Sequence, residues 1–480
     1  MMRKLIYIAL SAVCLMSCAK TETGCLPPLE SDCCGVTVPV NIAPLSFELA
    51  DSLDARHVRV EYSHEGKSLK KSARIGVGAW HRMLERAAGS ELTVIISAKV
   101  NGARLVYDPF TINVSQDEID PYIAYRLVEP GYEIWHEMGI YQRCLENFRQ
   151  SPVIENKMTG YGCVNCHSFS SYDPSKMIFH SRVACGGTYY INGGSVEKLN
   201  TKTPQTLSAL VYPQWHPSGR YIAFSVYSTK QLFHTTDPNR IEVFDYTSDV
   251  VVYDVEKHEI FSSPILKRAG KFETFPTFSP DGNTLYFCSA DSLAMPENYD
   301  KVRYSLCSVG FNPEDRSFSE KVDTLYNARK RGVGSVSFPR VSPDGSALMF
   351  TLSGYGNFSI WHKDADLYVA DLATKKISEA SGLNSPDVES YHSWSSNGHW
   401  VIFSSRRMDK LYTRLFIAHV GEDGTIGKPF LLPQKKDGYY RSFMKSYNIP
   451  EFISGKVKNN QYGISRVAKK DAGTDLTFAE

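Results

Sequence analysis

The sequence predicts a mainly β protein that contains a repeated strand–turn–strand unit. Its 480 residues include 28 Tyr, 24 Phe and 33 Gly, a composition that favours strands and tight turns over a helical bundle. One segment recurs four times from residue 204 onward, and short alternating segments precede it. The hydrophobic fraction of 42% is enough for a core that needs no disulfides.

The chain begins with a predicted export signal. Met1–Lys4 is a short basic start, and Leu5–Met16 is an apolar run too short to span a hydrocarbon core of ~30 Å. Leu15–Cys18 resembles a bacterial lipobox, whose cysteine is acylated and becomes the first residue of the mature chain. The alternative is a buried apolar helix. We predict lipidation of Cys18, with the protein anchored to the outer membrane and facing the periplasm.

Residues 18–35 are predicted to form a flexible tether that follows the signal peptide at 1–17. The tether contains two adjacent prolines and few large residues. It also contains Cys25, Cys33 and Cys34, three of the 11 cysteines, which can form disulfides in an oxidising compartment.

Residues 36–120 are predicted to form a small β-sandwich-like domain, because short segments alternate between apolar and polar residues. Residues 121–160 are predicted to be an aromatic, partly helical connector. Apolar residues recur at helical spacing over Glu133–Gln150. A carbohydrate-binding strip is the alternative interpretation of this aromatic stretch.

Four copies of one segment follow, at Tyr212–Ser225, Phe275–Phe287, Phe338–Phe350 and Tyr391–Ser404. In each copy a strand ends, a tight turn contains a glycine that supplies positive φ, and an alternating strand returns. The turn glycines are Gly219, Gly282, Gly345 and Gly398. A degenerate fifth copy, without the glycine, lies at Ser171–His180.

Repeats of this kind are typical of a β-propeller, because a single blade cannot bury both of its faces. The copies closely resemble the TolB-like propeller repeat. Division of residues 161–445 by six gives about 48 residues per blade, which predicts six blades with long loops such as Thr229–Asp249. Residues 446–480 are predicted to be a C-terminal tail.

The chemical motif of the sequence is Cys-Val-Asn-Cys-His at residues 163–167. In a C-x-x-C-H motif two thiols form thioethers to the haem vinyl groups, and the histidine binds the iron. We therefore predict one haem c held by Cys163 and Cys166, with His167 as the proximal iron ligand. The motif is expected on a loop. A redox pair, a disulfide or half of a zinc site are the alternatives.

The sixth iron ligand is predicted to be His180 or Met177, which lie on opposite faces of one predicted strand. Met158 is a further possibility on the other side of the motif. Tyr161 and Trp135 are expected to form the wall of the haem pocket.

Other functions are excluded by what the sequence lacks. There are 53 basic and 52 acidic residues, so the bulk charge is not that of a nucleic-acid binder. No G-x-S-x-G segment and no phosphate-binding loop occur in the sequence, so no enzymatic activity is predicted.

The whole arrangement is similar to a family of exported bacterial lipoproteins that are often labelled TolB-like or cytochrome c biosynthesis proteins. Two functions follow from the sequence. The first is a membrane-anchored periplasmic haem protein that transfers electrons to an envelope protein docked on the propeller. The alternative is a binding or scaffolding propeller that recognises envelope protein or glycan, with Cys163 and Cys166 as a disulfide or metal staple.

Overall fold

The computed structural model describes residues 20–129, 137–470 and 472–479. The chain divides into two compact units. Unit 1 contains residues up to Ile119 together with Leu145–Phe148 and Gly427–Phe443, and unit 2 contains Asp120–Cys144, Arg149–Ile426 and the residues from Met444 onward.

Unit 1 is built on one hydrogen-bonded sheet of seven strands. In chain order its first elements are β1 (Lys20–Glu22), β2 (Thr37–Pro39), β3 (Arg56–His64), β4 (Lys67–Ser72), α1 (Val77–Arg86), β5 (Ser90–Val100), β6 (Ala103–Val106) and β7 (Phe110–Ser115). The long strand β5 pairs antiparallel with β3, β6 and β7. Its alternate residues are buried, as expected for a sheet with one covered face.

The predicted strands of this region are present, but a two-sheet sandwich is not confirmed. The helix α1 packs on β3 through Trp80 and Tyr62, whose ring centroids are 5.9 Å apart, and the Trp80 indole donates to the Ile42 carbonyl at 3.0 Å. A helix therefore supplies the cover expected from a second sheet. The predicted tether is also not wholly a linker, because β1 pairs in parallel with β6.

The remaining strands follow in chain order. They are β8 (Tyr122–Val128), β9 (Met138–Cys144), β10 (Gln150–Glu155), β11 (Cys163–Phe169), β12 (Lys176–Arg182), β13 (Gly187–Asn192), β14 (Ser195–Asn200), β15 (Val211–Trp215), β16 (Tyr221–Phe233), β17 (Ile241–Asp254), β18 (Glu259–Phe261), β19 (Lys271–Phe278), β20 (Thr284–Asp291), β21 (Ser305–Asn312), β22 (Ser317–Phe318), β23 (Asp323–Tyr326), β24 (Ser335–Val341), β25 (Ala347–Ser353), β26 (Asp366–Asp371), β27 (Ile377–Glu379), β28 (Glu389–Trp394), β29 (Trp400–Ser405), β30 (Arg414–His419), β31 (Phe430–Leu431), β32 (Ser446–Ile453), β33 (Thr474–Asp475) and β34 (Thr477–Phe478).

Helices in the described residues are few and short. The α-helices after α1 are α2 (Ala328–Arg331), α3 (Tyr439–Ser442) and α4 (Gln461–Lys469), and 3-10 turns lie at Asp51–Leu53, Asn156–Thr159, Pro264–Leu266, Tyr299–Lys301 and Ser359–Trp361. None of the helices in the described residues is long and apolar enough to cross a membrane.

Unit 2 has a propeller arrangement in which four blades carry the four clear sequence copies. Their first two strands are β15 and β16, β19 and β20, β24 and β25, and β28 and β29, each pair antiparallel. The turn glycines between these strands have φ of +69° at Gly219, +77° at Gly282, +75° at Gly345 and +77° at Gly398. The predicted left-handed turns are therefore confirmed.

The sheets do not form the six blades that were predicted within residues 161–445. Besides the four blades with clear copies, that range holds the degenerate copy, where β11–β14 form a sheet that β33 extends. A further sheet, β10-β9-β8-β32, combines residues from both sides of the range. The predicted tail thus supplies β32 as a strand, because β8 needs an antiparallel partner on its free edge.

Two other predictions for unit 2 are wrong. The helix expected over Glu133–Gln150 is the strand β9 from Met138 to Cys144, because pairing with β8 and β10 satisfies its backbone. Part of the segment lies outside the described residues. The long loop predicted at Thr229–Asp249 is instead part of an extended hairpin of β16 and β17. The two strands stay paired from Tyr221 opposite Asp254 to Phe233 opposite Ile241.

Candidate functional site

The first strands of the sheets in unit 2 share one irregularity, a two-residue β-bulge. The residue that begins the bulge has φ close to +50° in every case. The bulge pairs are Cys166-His167 in β11, Tyr212-Pro213 in β15, Phe275-Pro276 in β19, Phe338-Pro339 in β24, Tyr391-His392 in β28 and Ile449-Pro450 in β32. The repeat therefore includes a bulge before the turn, which re-aims one side chain from each strand.

The C-x-x-C-H motif is one copy of this bulge. Cys166 and His167 occupy the positions that an aromatic residue and a proline or histidine occupy in the four clear copies. The motif lies in the strand β11 and not on the predicted loop, because Cys163, Val164 and Asn165 pair with β12 before the bulge interrupts the ladder. The Cys166-His167 pair thus has a structural role apart from haem attachment.

The aromatic bulge residues pack against one another. The ring centroids are 4.8 Å apart for Tyr212 and Phe275, 4.2 Å for Phe275 and Phe338, and 4.7 Å for Phe338 and Tyr391. The first strands contact one another in chain order, and β11 also contacts β32. A closed ring of strands therefore surrounds this aromatic layer.

Two cavities lie among these strands, and different parts of the strands line them. The smaller has a volume of about 310 Å³ and is lined by the residues that follow the bulges, namely Ser168, Gln214, Thr277, Arg340, Ser393 and Glu451. The larger, of about 880 Å³, is lined by residues that precede the bulges, including Cys163, Asn165 and Asn448. Tyr212 lines the larger cavity and Tyr391 the smaller, so the aromatic layer lies between them.

The smaller cavity is lined by one carboxyl group and one guanidinium group, and both residues are half-buried. Burial raises the pKa of Glu451 to about 8, although the Phe169 amide donates to its Oε1 at 2.9 Å and Arg340 acts in the opposite direction. Burial also lowers the pKa of Arg340 to about 10. The Glu451 side chain keeps 22% of its surface exposed towards the cavity, so its protonation can respond to a molecule that enters.

His167 is buried beside Glu451. Burial lowers its pKa to about 3, and the positive charge of Arg126 acts in the same direction. Within the part of the chain that the structure describes, neither ring nitrogen makes a hydrogen bond. His167 is therefore neutral at pH 7 and keeps a lone pair that a ligand could engage.

The surroundings of the motif do not fit a haem c. A haem attached to Cys163 and Cys166 must lie against the ring of His167. Cys163 lines the larger cavity and His167 the smaller. A single haem in contact with all three would have to replace the aromatic layer between the cavities, since both cysteines and the histidine are buried in the strand.

The predicted sixth ligands lie on a strand, as expected, but neither lines either of the two cavities described above. Met177 is fully buried in the hydrophobic cluster that includes Phe169 and Phe179. His180 is buried, and its Nδ1 lies 3.0 Å from Thr188 Oγ1. Packing and hydrogen bonding thus already occupy both side chains.

The other predicted haem-pocket residues are also dispersed. Met158 packs against the same cluster as Met177. Tyr161 is 59% exposed and lines neither of the two cavities described above. Trp135 and Cys18 lie outside the described residues.

The thiols of Cys163 and Cys166 are free in the structure, as are those of Cys25, Cys33 and Cys34. Burial raises the pKa of Cys163 and of Cys166, although Arg126 and Arg182 oppose this effect. Both thiols are therefore protonated at neutral pH. Among the residues that the structure describes, no group of three or more His, Cys, Asp and Glu side chains could hold a metal ion.

The larger cavity has features that sequence reasoning missed. Arg126 in β8 and Arg182 in β12 both line it, and so do aromatic side chains that include Tyr227 and Trp361. These residues come from strands far apart in sequence, so no local motif could have joined them. The alignment of Cys166-His167 with Tyr391-His392 was the signal that could have revealed the bulge.

No protein-family model matches the chain, and no curated protein matches it. Among solved structures, the chain is similar to the β-propeller domain of the Trilobed protease from Pyrococcus furiosus, with 11% identity and a TM-score of 0.34 over 71% of this chain and 82% of that one. It is similar to a Synechocystis apocarotenoid oxygenase mutant, with 8% identity and a TM-score of 0.38 over 87% of this chain and 95% of that one. These likenesses concern the fold alone.

Proposed function

We propose that this protein is a non-enzymatic binding propeller of the cell envelope whose larger cavity receives part of an envelope protein or a glycan. The observation that carries the proposal is the cavity of about 880 Å³ inside the ring of first strands. It combines guanidinium, amide and aromatic groups on strands, where binding sites are held rigidly. In this function Cys163 and Cys166 are structural residues of β11.

The propeller is of the TolB-like type and has six blades in this proposal. Six first strands carry the same bulge, and the ring that they form is closed by contact between β11 and β32. The sheet of β8–β10 and β32 would then be the blade that joins the two ends of unit 2. Closure of this kind removes a free sheet edge and holds the cavity walls in place.

The envelope location rests on the lipobox-like segment that ends at Cys18. Export and acylation there would tether the propeller to a membrane, facing the periplasm, where envelope proteins and glycans are available as partners. This part of the proposal depends on residues outside those that the structure describes.

Photo-crosslinking in cells tests the binding function. Phe233 lines the larger cavity and is 50% exposed, so we would replace it with p-benzoylphenylalanine. The same replacement at Tyr462, which is 79% exposed and does not line this cavity, is the matched control. A specific adduct, identified by mass spectrometry, is expected at position 233 only. No adduct at 233, or the same adducts at both positions, would refute the proposal.

A haem protein is the second candidate, and the specific observation in its favour is the His167 imidazole without a hydrogen bond in the described residues. Haem attachment would require β11 to leave its place in the ring. A pyridine haemochrome spectrum of protein matured in a host with haem-attachment machinery decides between the two candidates. A covalent haem signal lost in Cys163→Ser would establish the haem protein, and its absence would eliminate it.

A further inference from the structure

Two arginines that line the larger cavity have no carboxylate partner in the described residues. Arg126 is only 8% exposed, and its Nε has no hydrogen-bond partner there. Asn448 Oδ1, in the amide orientation that satisfies both groups, accepts from Arg126 Nη2 at 2.9 Å. Arg182 makes a long contact of 3.5 Å with the Tyr227 hydroxyl. Neutral acceptors therefore leave both positive charges uncompensated.

The two arginines lie on strands of two sheets whose first strands, β11 and β32, contact each other. Arg182 pairs across the strands with Cys163, and Arg126 with Asn448 just before the β32 bulge. Both charges act on the thiols of Cys163 and Cys166, which remain protonated and supply no negative charge. Uncompensated charges in a partly desolvated site are costly, so paired arginines of this kind commonly serve to bind an anion.

The carboxylates that line the cavity do not compensate the positive charges of the two arginines. Glu137 also lines the cavity, but it accepts from Lys445 at 2.7 Å. Glu129 lines it as well, and no ion pair within 4.0 Å joins it to Arg126 or Arg182 in the described part of the chain. The remaining lining includes Tyr227, Phe233 and Trp361, which can cover a ring or an apolar body.

We propose that Arg126 and Arg182 form an oxyanion-binding site in the larger cavity, which takes the carboxylate or phosphate group of an organic molecule while the aromatic walls contact its body. Guanidinium groups match both oxyanions because their N–H donors can bind two oxygens at once. The inference rests on the proposed binding function, and it names the chemical group that the cavity recognises.

Isothermal titration calorimetry with four defined probes tests this site. Inorganic phosphate, citrate and galacturonate carry the oxyanion, and galactose is the neutral match for galacturonate. At least one anionic probe is expected to bind, with an affinity that falls as salt increases, while galactose does not bind. Binding by phosphate alone or by the carboxylates alone identifies which oxyanion is preferred. No binding by any anion would overturn the proposal.

Variants assign the binding to the two arginines. Arg126→Gln and Arg182→Gln are each expected to lower the affinity for the anion by about tenfold or more. Arg329→Gln, whose side chain is 80% exposed and does not line this cavity, should leave the affinity unchanged. Equal affinity in all three variants would overturn the site.

Selenate-soaked crystals of the unmodified protein give a result that does not depend on the folding of a variant. An anomalous peak is expected between Arg126 and Arg182, and a soak without such a peak would count against the site. A specific crosslink at position 233 without anion binding would leave the binding function in place and refute only the oxyanion site. Anion binding without a crosslink would refute the macromolecular partner and keep the site.

Discussion

Nε2 of His167 lies 4.0 Å from Oε2 of Glu451, so the histidine of the C-x-x-C-H motif faces a residue of the closing strand β32. His167 belongs to the bulge at 166–167 in β11, and Glu451 directly follows the bulge at 449–450 in β32. The histidine thus belongs to the inner ring of the propeller, and its contacts connect the first and last strands of that ring.

The raised pKa of Glu451 predicts that its contribution to stability falls as pH rises. Burial raises this pKa from 4.5 to about 8, so between these values the folded state holds a proton that the unfolded state has lost. This carboxyl alone should therefore lower the free energy of unfolding by about 1–2 kcal/mol from pH 6.5 to pH 8. Urea unfolding of wild type and Glu451→Gln at both pH values measures this difference.

Glu451→Gln should remove this decrease, and the exposed Glu422→Gln should retain it. Burial lowers the pKa of His167, His180 and His392 to about 3 each, so stability rises with pH until their unfolded forms have lost the proton, around and just above pH 6.5. Wild type and Glu451→Gln share this opposing contribution, so the difference between them isolates the carboxyl. An unchanged slope in Glu451→Gln would contradict the assignment.

A side chain at Gly282 would clash with a neighbouring residue, whereas a side chain at Gly424, the matched control, would not. Gly282 and Gly424 both have φ of +77°, but an added Cβ at Gly282 would lie 2.2 Å from His216 Nε2, and at Gly424 nothing lies within 4 Å. Both alanine variants incur the left-handed strain of about 1–2 kcal/mol. Gly282→Ala should lose at least about 1 kcal/mol more, because His216 must also move from its contact of 3.1 Å with the Gly282 carbonyl oxygen. If urea unfolding shows the same loss of stability for both variants, His216 does not pack against Gly282 as described.

Thiol reactivity distinguishes the possible states of the motif. Cys163 and Cys166 are buried and free, with raised pKa values, whereas Cys25 is exposed. Iodoacetamide should label Cys25 quickly in the folded protein and the motif cysteines only after denaturation. Peptide mass spectrometry measures each site. Two motif thiols that stay unlabelled in denaturant without reductant, but react after reduction, would instead reveal a disulfide.

Lipidation predicts how the protein fractionates. Acyl chains at Cys18 contribute about 0.8 kcal/mol per buried CH₂ group, enough in combination for stable membrane attachment. Wild-type protein should sediment with membranes, and Cys18→Ala should become soluble, while Cys25→Ala should behave as wild type. Membrane association of Cys18→Ala in the absence of any partner would rule out the lipid anchor.

The local parts of the fold could be predicted from sequence because they depend on nearby residues. Gly282 and its counterparts mark turns that need positive φ, and the alternating segments after them mark strands with one face in the core. The strand that contains Met177 and His180 follows from the same pattern. By contrast, helical spacing after Glu133 was misleading, since β9 is decided by its neighbours β8 and β10.

The candidate site could not be predicted in the same way, because distant residues compose it. By itself the sequence determined the mainly β class, the four copies with their turns, and the position of the Cys-x-x-Cys-His segment. Only the tertiary structure decided that Cys166-His167 forms a bulge of an inner strand and that β32 pairs with β8. It also decided that Arg126 and Arg182 line one cavity. Turn conformation is a short-range property of the backbone, whereas ring closure and cavity lining depend on contacts between residues hundreds of positions apart.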